Sequence, residues 1–221
     1  MYEDAQEIFD YLPIRRDTPE NDYIDHLWQA FTTLDGGEAV VRSFAVMPFH
    51  LLFMMALQYK ILRISREKRA EYELVFTIDR GREREAVLNP ESVFDIALLN
   101  ERTIPDLLKL IGLDGEAIKQ IKELIDNRND NLAHAKGGIE SEPEMRIEEY
   151  LTCLRTIQIH MQPLNDKVAN GWTTEVSPED VMPDFIEARL VDSMLCSEDF
   201  MTGALANDFA KYIPALVNNV D

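Results

Sequence analysis

Hydrophobic residues recur at helical spacing along most of this chain. The spacing predicts a first helix from Tyr2 to Leu12, which ends near Pro13. It predicts a second helix that ends before two adjacent glycines and carries Ile24, Leu27, Trp28 and Phe31. A long central helix is expected from about Val40 to Glu71, because its early positions are almost all apolar, as in the middle of a bundle. Pro48 marks either a kink in this helix or its first turn.

The second half of the chain predicts two more long helices. One begins at Asp114-Gly115-Glu116, and its apolar stripe consists of Ile118, Ile121, Leu124 and Ile125. The stripe ends at Asp126, where a polar segment begins, and Gly137-Gly138 suits a helix end. The other runs from Met145 to about Lys167.

Shorter elements lie between the central helix and these two. Residues 71–79 are rich in aromatic and β-branched residues, and Asp79-Arg80-Gly81 supplies a turn, so a small β-hairpin or an irregular insertion is predicted. Short helices are expected after Asn89-Pro90 and from Ile104 to Gly112.

The predicted fold class is all-α: a helical bundle with this small insertion and with extra C-terminal helices. Residues 1–171 are expected to form a helical domain with an N-terminal helical extension. Residues 172–221 are expected to form an acidic helical appendage packed on it, with helix starts at Ser177-Pro178 and at Ser197.

Composition favours a cytoplasmic protein. Hydrophobic residues make up 46% of the chain, which is enough for a core. The two cysteines give no disulfide framework and no zinc-ligand spacing, and the sequence predicts neither a metal nor a cofactor. The acidic N-terminus does not resemble a signal peptide. The most apolar run, residues 44–62, is interrupted by Pro48, His50, Gln58 and Lys60, so we expect a core helix rather than a membrane span.

Charge is unevenly distributed along the chain. The formal net charge is −19, which disfavours nucleic-acid binding, but residues 41–140 carry only −1, against −8 before and −10 after them. Cations are dense within that nearly neutral segment, at Lys60, Arg63, Arg66, Lys68, Arg69, Arg80, Arg82 and Arg84. They form either a basic surface or a solvated face of mixed charge with the glutamates between them.

Candidate chemistry is concentrated in Arg128-Asn129-Asp130-Asn131-Leu132-Ala133-His134. Arginine binds phosphate through a planar, charged fork, and histidine transfers protons near neutral pH. These two groups suffice in principle to cleave RNA without a metal. The remaining histidines are weaker candidates, since His50 and His160 lie in apolar helices and suit core or boundary positions.

This segment resembles the Arg-x4-6-His motif of the HEPN superfamily, whose members are helical bundles. The polar residue after the arginine, the Ala-His pair, the glycine pair and the order of long helices all fit, over roughly residues 40–167. The resemblance implies a metal-independent endoribonuclease that works as a homodimer, with two copies of the motif facing one cleft. It also suggests a role in phage defence, abortive infection or a toxin–antitoxin pair, with an antitoxin or regulatory protein as a further partner.

Each motif residue then has an expected role. His134 is the acid or base, Arg128 binds the scissile phosphate, and Asn129 orients His134 or a phosphate oxygen. Asp130 and Asn131 are supporting residues, and Lys136 is a candidate for substrate binding.

Helix geometry bears on these roles. Residues six apart on a regular helix lie about 120° apart around the axis, so Arg128 and His134 do not share a face, which suits a cleft built from two chains. Asp130 and Asn131 do share the face of His134. A carboxylate there, like a helix C-terminus, favours the protonated imidazole.

Three alternatives remain open. Arg128 and His134 can have a purely structural role, in which they cap carbonyls and pair with Asp126 or Asp130. The chain can be a non-catalytic HEPN-like module that binds a nucleotide, RNA or a partner protein, as its acidic flanks favour. The acidic C-terminal helices can also mimic nucleic acid or cover a basic face until the protein is activated.

Overall fold

The computed structural model describes residues 2–14, 19–76, 84–128, 143–175 and 194–200. Within these ranges the chain is all-α and contains no β-strand, which confirms the all-α character of the predicted fold. The α-helices are α1 (Glu20–Asp35), α2 (Ala39–Arg42), α3 (Val46–Glu67), α4 (Arg69–Phe76), α5 (Arg84–Leu88), α6 (Val93–Ile96), α7 (Gly115–Arg128), α8 (Pro143–Glu175) and α9 (Ser197–Phe200). Glu3–Tyr11, Ser43–Ala45 and Ile104–Ile111 form 3₁₀ helices, and all three lie where the sequence predicts ordinary helix.

The central helix of the fold is α3. Every residue from Leu52 to Ser65 is buried, because α1, α6, α8 and the 3₁₀ helix Ile104–Ile111 all pack around it. Pro48 lies in the first turn of α3, where backbone N–H groups have no partner within the helix, so the second of the two predicted positions is correct. The segment Ala39–Glu67 is long and apolar enough to cross a membrane, but 67% of its most apolar window is buried inside the protein, as in a core helix.

Helices α3 and α8 run parallel. Three contacts in the same order along both helices establish this: His50 with Tyr150, Lys60 with Gln158, and Glu67 with Lys167. Helix α7 runs antiparallel to α8, since Asn127 and Met145 line one end of their shared groove, and Leu113 and Ile157 line the other. The end of α7 therefore lies beside the beginning of α8.

The predicted β-hairpin is wrong for the residues described in this region, since 69–76 and 84–88 are helical and 77–83 lie outside the described residues. Tyr72 and Phe76 are four residues apart, so a helix places both rings in the core, with centroids 5.0 Å apart. The Tyr72 hydroxyl also donates to the Val87 carbonyl oxygen, at 2.9 Å. Burial of this pair outweighs the β-propensity of the individual residues.

The C-terminal region enters the core through residues 194–200. The Ile14 amide donates to the Leu195 carbonyl oxygen at 2.7 Å, and Leu195 and Cys196 are buried. The helix predicted to begin at Ser197 is confirmed as α9, whereas α8 extends to Glu175, beyond the predicted end at Lys167. Residues 176–193 and 201–221 lie outside the described part of the chain, so the division at residue 171 stays a prediction.

Candidate functional site

Helix α7 carries the arginine of the motif at its last position. The Asp114 carboxylate accepts from the Ala117 amide at 2.8 Å and caps the helix start. The predicted stripe is buried at all four of its positions, Ile118, Ile121, Leu124 and Ile125. Packing of this stripe against the core therefore orients α7 and positions Arg128 at its end.

The Arg128 guanidinium is held by Glu101, which lies in the turns that follow α6. Its Nη2 donates to both carboxylate oxygens, at 2.7 and 2.6 Å, and only 14% of the arginine side chain is exposed. The Nε atom is buried and has no hydrogen-bond acceptor. The structural alternative named Asp126 or Asp130 as partners. Arg128 does not pair with Asp126, which binds Arg102 at 3.0 Å, and Asp130 and His134 lie outside the described residues.

His50 is a buried core residue, as the sequence predicts. Its Nδ1 lies 2.9 Å from the Tyr150 hydroxyl, while its Nε2 is buried without a partner. Burial lowers the pKa of His50 to about 3, and the positive charge of Arg128 acts in the same direction. His50 is therefore neutral at physiological pH. His160 occupies a partly exposed boundary position.

The other motif residues, Asn129, Asp130, Asn131, His134 and Lys136, lie outside the described residues. The structure therefore places Arg128 alone among the predicted site residues. No local sequence signal indicates Glu101, because it is separated from Arg128 by the 3₁₀ helix Ile104–Ile111 and the whole of α7.

Two cations of the basic segment are buried, which corrects the prediction of a basic surface or solvated face at these positions. Lys60 and Arg63 are each only 4% exposed. The Lys60 ammonium donates to the Gln158 Oε1 at 2.6 Å, and the Arg63 Nη1 donates to the Asp199 Oδ2 at 2.8 Å. The Gln158 Nε2 joins the two pairs by donating to the Asp199 Oδ1 at 2.5 Å.

This buried network ties α9 to α3 and α8. The Asp199 Oδ2 also accepts from the Cys196 amide at 2.9 Å, in the manner of a capping residue. Arg63 retains two buried nitrogens without acceptors, Nε and Nη2. A signal for burial was present in the sequence, since Lys60 and Arg63 stand one turn apart inside a strongly apolar run.

A cleft of about 360 Å³ lies between α7 and α8, beside the end of α7. Its lining includes Glu123, Glu148 and Glu149, and these pair with Lys119, Arg155 and Arg146 respectively. Arg128 does not line this cleft, because its side chain is held by Glu101. No group of three or more His, Cys, Asp or Glu residues in the described ranges is arranged to hold a metal ion.

Comparisons with models of protein families, with curated proteins and with solved structures find no match to this chain. The likeness to the HEPN superfamily therefore rests on the Arg128–His134 motif and on the order of the long helices. Family membership and activity remain proposals for this chain.

Proposed function

We propose that this chain is a metal-independent endoribonuclease of HEPN type, acting in the cytoplasm as a homodimer. The observation that carries the proposal is the placement of Arg128. It ends the helix that leads into the motif, its guanidinium is held by the Glu101 carboxylate, and its buried Nε has no acceptor. A carboxylate and a phosphate oxygen pair make the same kind of contact with an arginine, so Glu101 marks a position that suits an anion.

The proposed reaction uses the 2′-hydroxyl of RNA as its nucleophile. A base removes the proton from this hydroxyl, the oxygen attacks the adjacent phosphorus, and the bond to the 5′-oxygen breaks. That oxygen receives a proton, which leaves a 2′,3′-cyclic phosphate and a 5′-hydroxyl. His134 moves one or both protons, Arg128 stabilises the charge on the phosphorane, and Asn129 orients the reacting groups.

Supporting roles follow the same scheme. Asp130 favours the protonated form of His134, Asn131 orients it, and Lys136 contacts the RNA backbone. The cellular setting that we propose is phage defence, abortive infection or a toxin–antitoxin pair, with RNA as substrate and an antitoxin or regulatory protein as partner.

The experiment is an RNA cleavage assay in excess chelator with purified protein. We expect cleavage products that end in 2′,3′-cyclic phosphates, no cleavage where the ribose carries a 2′-O-methyl group, and loss of activity in Arg128→Ala. Arg102→Ala is the matched control, since Arg102 also pairs with a carboxylate but is mostly exposed. Products with a 3′-hydroxyl, or cleavage of the 2′-O-methyl substrate, would show a different reaction.

One observation favours a second candidate, a non-catalytic HEPN-like module that binds a nucleotide, RNA or a protein. The Glu101 carboxylate neutralises Arg128, and an ion pair of this kind also serves a purely structural purpose. This candidate predicts that RNA or nucleotide binding occurs without cleavage and that His134→Ala leaves the binding unchanged.

A further inference from the structure

Two buried polar side chains at the contact between α3 and α8 have atoms without hydrogen-bond partners. Arg63 of α3 is 4% exposed, and its Nε and Nη2 have no acceptor within the protein. Asn165 of α8 is fully buried, and neither its Nδ2 nor its Oδ1 is bonded. In the described part of the chain, these four atoms are more than half of the seven buried side-chain atoms of this kind. Buried polar groups are nearly always paired, so their concentration here points to a bound polar group.

The two unpaired atoms of Arg63 form one complete edge of the guanidinium. The N–H of Nε and one N–H of Nη2 point in the same direction, as a two-donor fork that fits two oxygens of an oxyanion. Asp199 does not use this edge, since its Oδ2 accepts from Nη1 at 2.8 Å. The same carboxylate also accepts from the Gln158 side chain and the Cys196 amide. Arg63 therefore presents a buried fork that its carboxylate partner leaves unused.

Arg63 and Asn165 lie in the same part of the helix contact. Two contacts between α3 and α8 bracket them: the hydrogen bond of Lys60 with Gln158 and the ion pair of Glu67 with Lys167. Arg63 follows the first contact by three residues on α3, and Asn165 follows it by seven residues on α8. Residues at these spacings share a helix face, so both side chains are directed into the contact between the two helices.

The fully buried charge at this place is positive. Lys60 and Arg63 are each 4% exposed, and the buried carboxylate bonded to Arg63 is Asp199. The Lys60 ammonium donates to a neutral amide, that of Gln158. Glu198, the neighbour of Asp199, is only partly buried, so solvent screens its charge. Two buried cations with one buried carboxylate favour an anion as the acceptor for the fork.

We propose that Arg63 and Asn165 form a buried binding site for inorganic phosphate between α3 and α8, closed by α9. The Arg63 fork donates to two phosphate oxygens, and the Asn165 Nδ2 donates to a third. Phosphate retains a P–O–H group at neutral pH, and this hydroxyl donates to the Asn165 Oδ1. Sulfate has no such hydroxyl, so the amide oxygen selects phosphate over sulfate. A ligand enclosed this deeply has to be small, which excludes a nucleotide.

The phosphate site is separate from the proposed ribonuclease centre. The end of α7 lies beside the beginning of α8 at Pro143, and Asn165 is about 33 Å further along α8. The inference therefore does not depend on RNA cleavage. Phosphate at this place joins α3 to α8 and holds the guanidinium that binds α9, so its binding stabilises the folded chain.

The test is thermal unfolding of full-length protein that has been dialysed against phosphate-free buffer and then titrated with sodium phosphate at constant ionic strength. At about 100 times the Kd, phosphate should raise the Tm by about 5–10 °C. Sulfate should bind at least about tenfold more weakly, because the Asn165 Oδ1 is left without a donor. Chloride should have no effect beyond that of ionic strength.

Four variants locate the site. Arg63→Lys keeps the charge without the fork, and Asn165→Leu keeps the volume without polar atoms, so both are expected to lose the response to phosphate. Gln162→Leu is the matched control on α8, since Gln162 is partly buried and already donates to Asp166 at 2.9 Å. It should retain the response. Arg128→Ala should also retain it, which excludes phosphate bound at the motif.

Several results would overturn the inference. One is an equal rise of the Tm in phosphate, sulfate and chloride, which would show a general salt effect. Another is a full response to phosphate in Arg63→Lys or Asn165→Leu, or a crystal structure grown in phosphate with only water at these side chains. Loss of the response in Arg128→Ala alone would place the phosphate at the motif instead. If Arg63→Lys does not fold, Asn165→Leu decides, because it removes two unpaired buried atoms and should be at least as stable as phosphate-free wild type.

Discussion

Removing the Asp199 carboxylate should destabilise the protein strongly, because it accepts three buried hydrogen bonds. These come from Arg63 Nη1, the Gln158 side chain and the Cys196 amide. Arg63 is 4% exposed, and its Nε and Nη2 have no acceptor, so Asp199→Ala leaves a buried positive charge without a counterion. Breaking a buried ion pair on one side costs about 3–5 kcal/mol.

The assay is thermal and urea unfolding followed by circular dichroism. For a chain of this size each kcal/mol lowers the Tm by about 2–4 °C, so we expect a decrease of about 6–20 °C for Asp199→Ala. Glu73→Ala is the matched control. Its carboxylate also pairs with an arginine, Arg69, but 49% of it is exposed, and such pairs contribute at most about 1 kcal/mol.

A double variant tests the reasoning further. Arg63→Met combined with Asp199→Leu replaces the pair by apolar groups, and such replacements are often neutral or stabilising, so we expect it to be much more stable than Asp199→Ala. A cost below about 1 kcal/mol for Asp199→Ala, or a double variant at least as unstable as the sum of the two single changes, would contradict this role of the buried ion pair.

Three further predictions concern His50, Gly112 and Glu101. Burial lowers the pKa of His50 to about 3, so between about pH 6.5 and 3 the unfolded chain binds a proton that the folded protein does not. The free energy of unfolding should therefore decrease as the pH falls through this range. His50→Phe should flatten this slope, by up to about 1.4 kcal/mol per pH unit, in urea titrations, and an unchanged slope would contradict the pKa. Gly112→Ala should cost about 1–2 kcal/mol of stability through backbone strain, because φ is 81° there, and not through a clash, because no neighbour lies within 4 Å of the added methyl group. Gly115→Ala at the start of α7 is the control and should be neutral or stabilising. Equal effects of the two changes in thermal unfolding would argue against backbone strain. Glu101→Gln should tighten RNA binding by up to about fivefold in anisotropy titrations, since it removes an anion that competes for Arg128, and weaker binding would instead indicate that Glu101 positions the arginine.

Local patterns predicted the helices that have a clear apolar stripe. The four buried residues of α7 and the helix start at Ser197 could be located because spacing and caps are encoded within a few residues. For the same local reason the sequence predicts a hairpin or an irregular insertion where Tyr72 to Phe76 are helical. The aromatic and β-branched composition of this segment favours a strand, while the contact that decides the outcome, with Val87, lies further along the chain.

Partners of the charged residues could not be predicted, because they are distant in sequence. Arg63 and Asp199 are 136 residues apart, and Arg128 and Glu101 are 27 apart. Sequence proximity instead suggested Asp126, which binds Arg102. The packing of α3, α7 and α9 brings these charged partners together. The arginine of the motif can therefore be identified from the sequence, whereas its partner Glu101 cannot.

The most direct measurement is the single-turnover rate of RNA cleavage by wild-type protein and by His134→Ala, in excess chelator. If His134 transfers a proton in the reaction, its removal should lower the rate by about 10²–10⁴-fold with an unchanged Tm. The exposed His26 provides the control, and His26→Ala should cleave at the wild-type rate. Equal rates for wild type and His134→Ala, or a wild-type dimer that cleaves no RNA, would contradict the assignment of this protein as a ribonuclease.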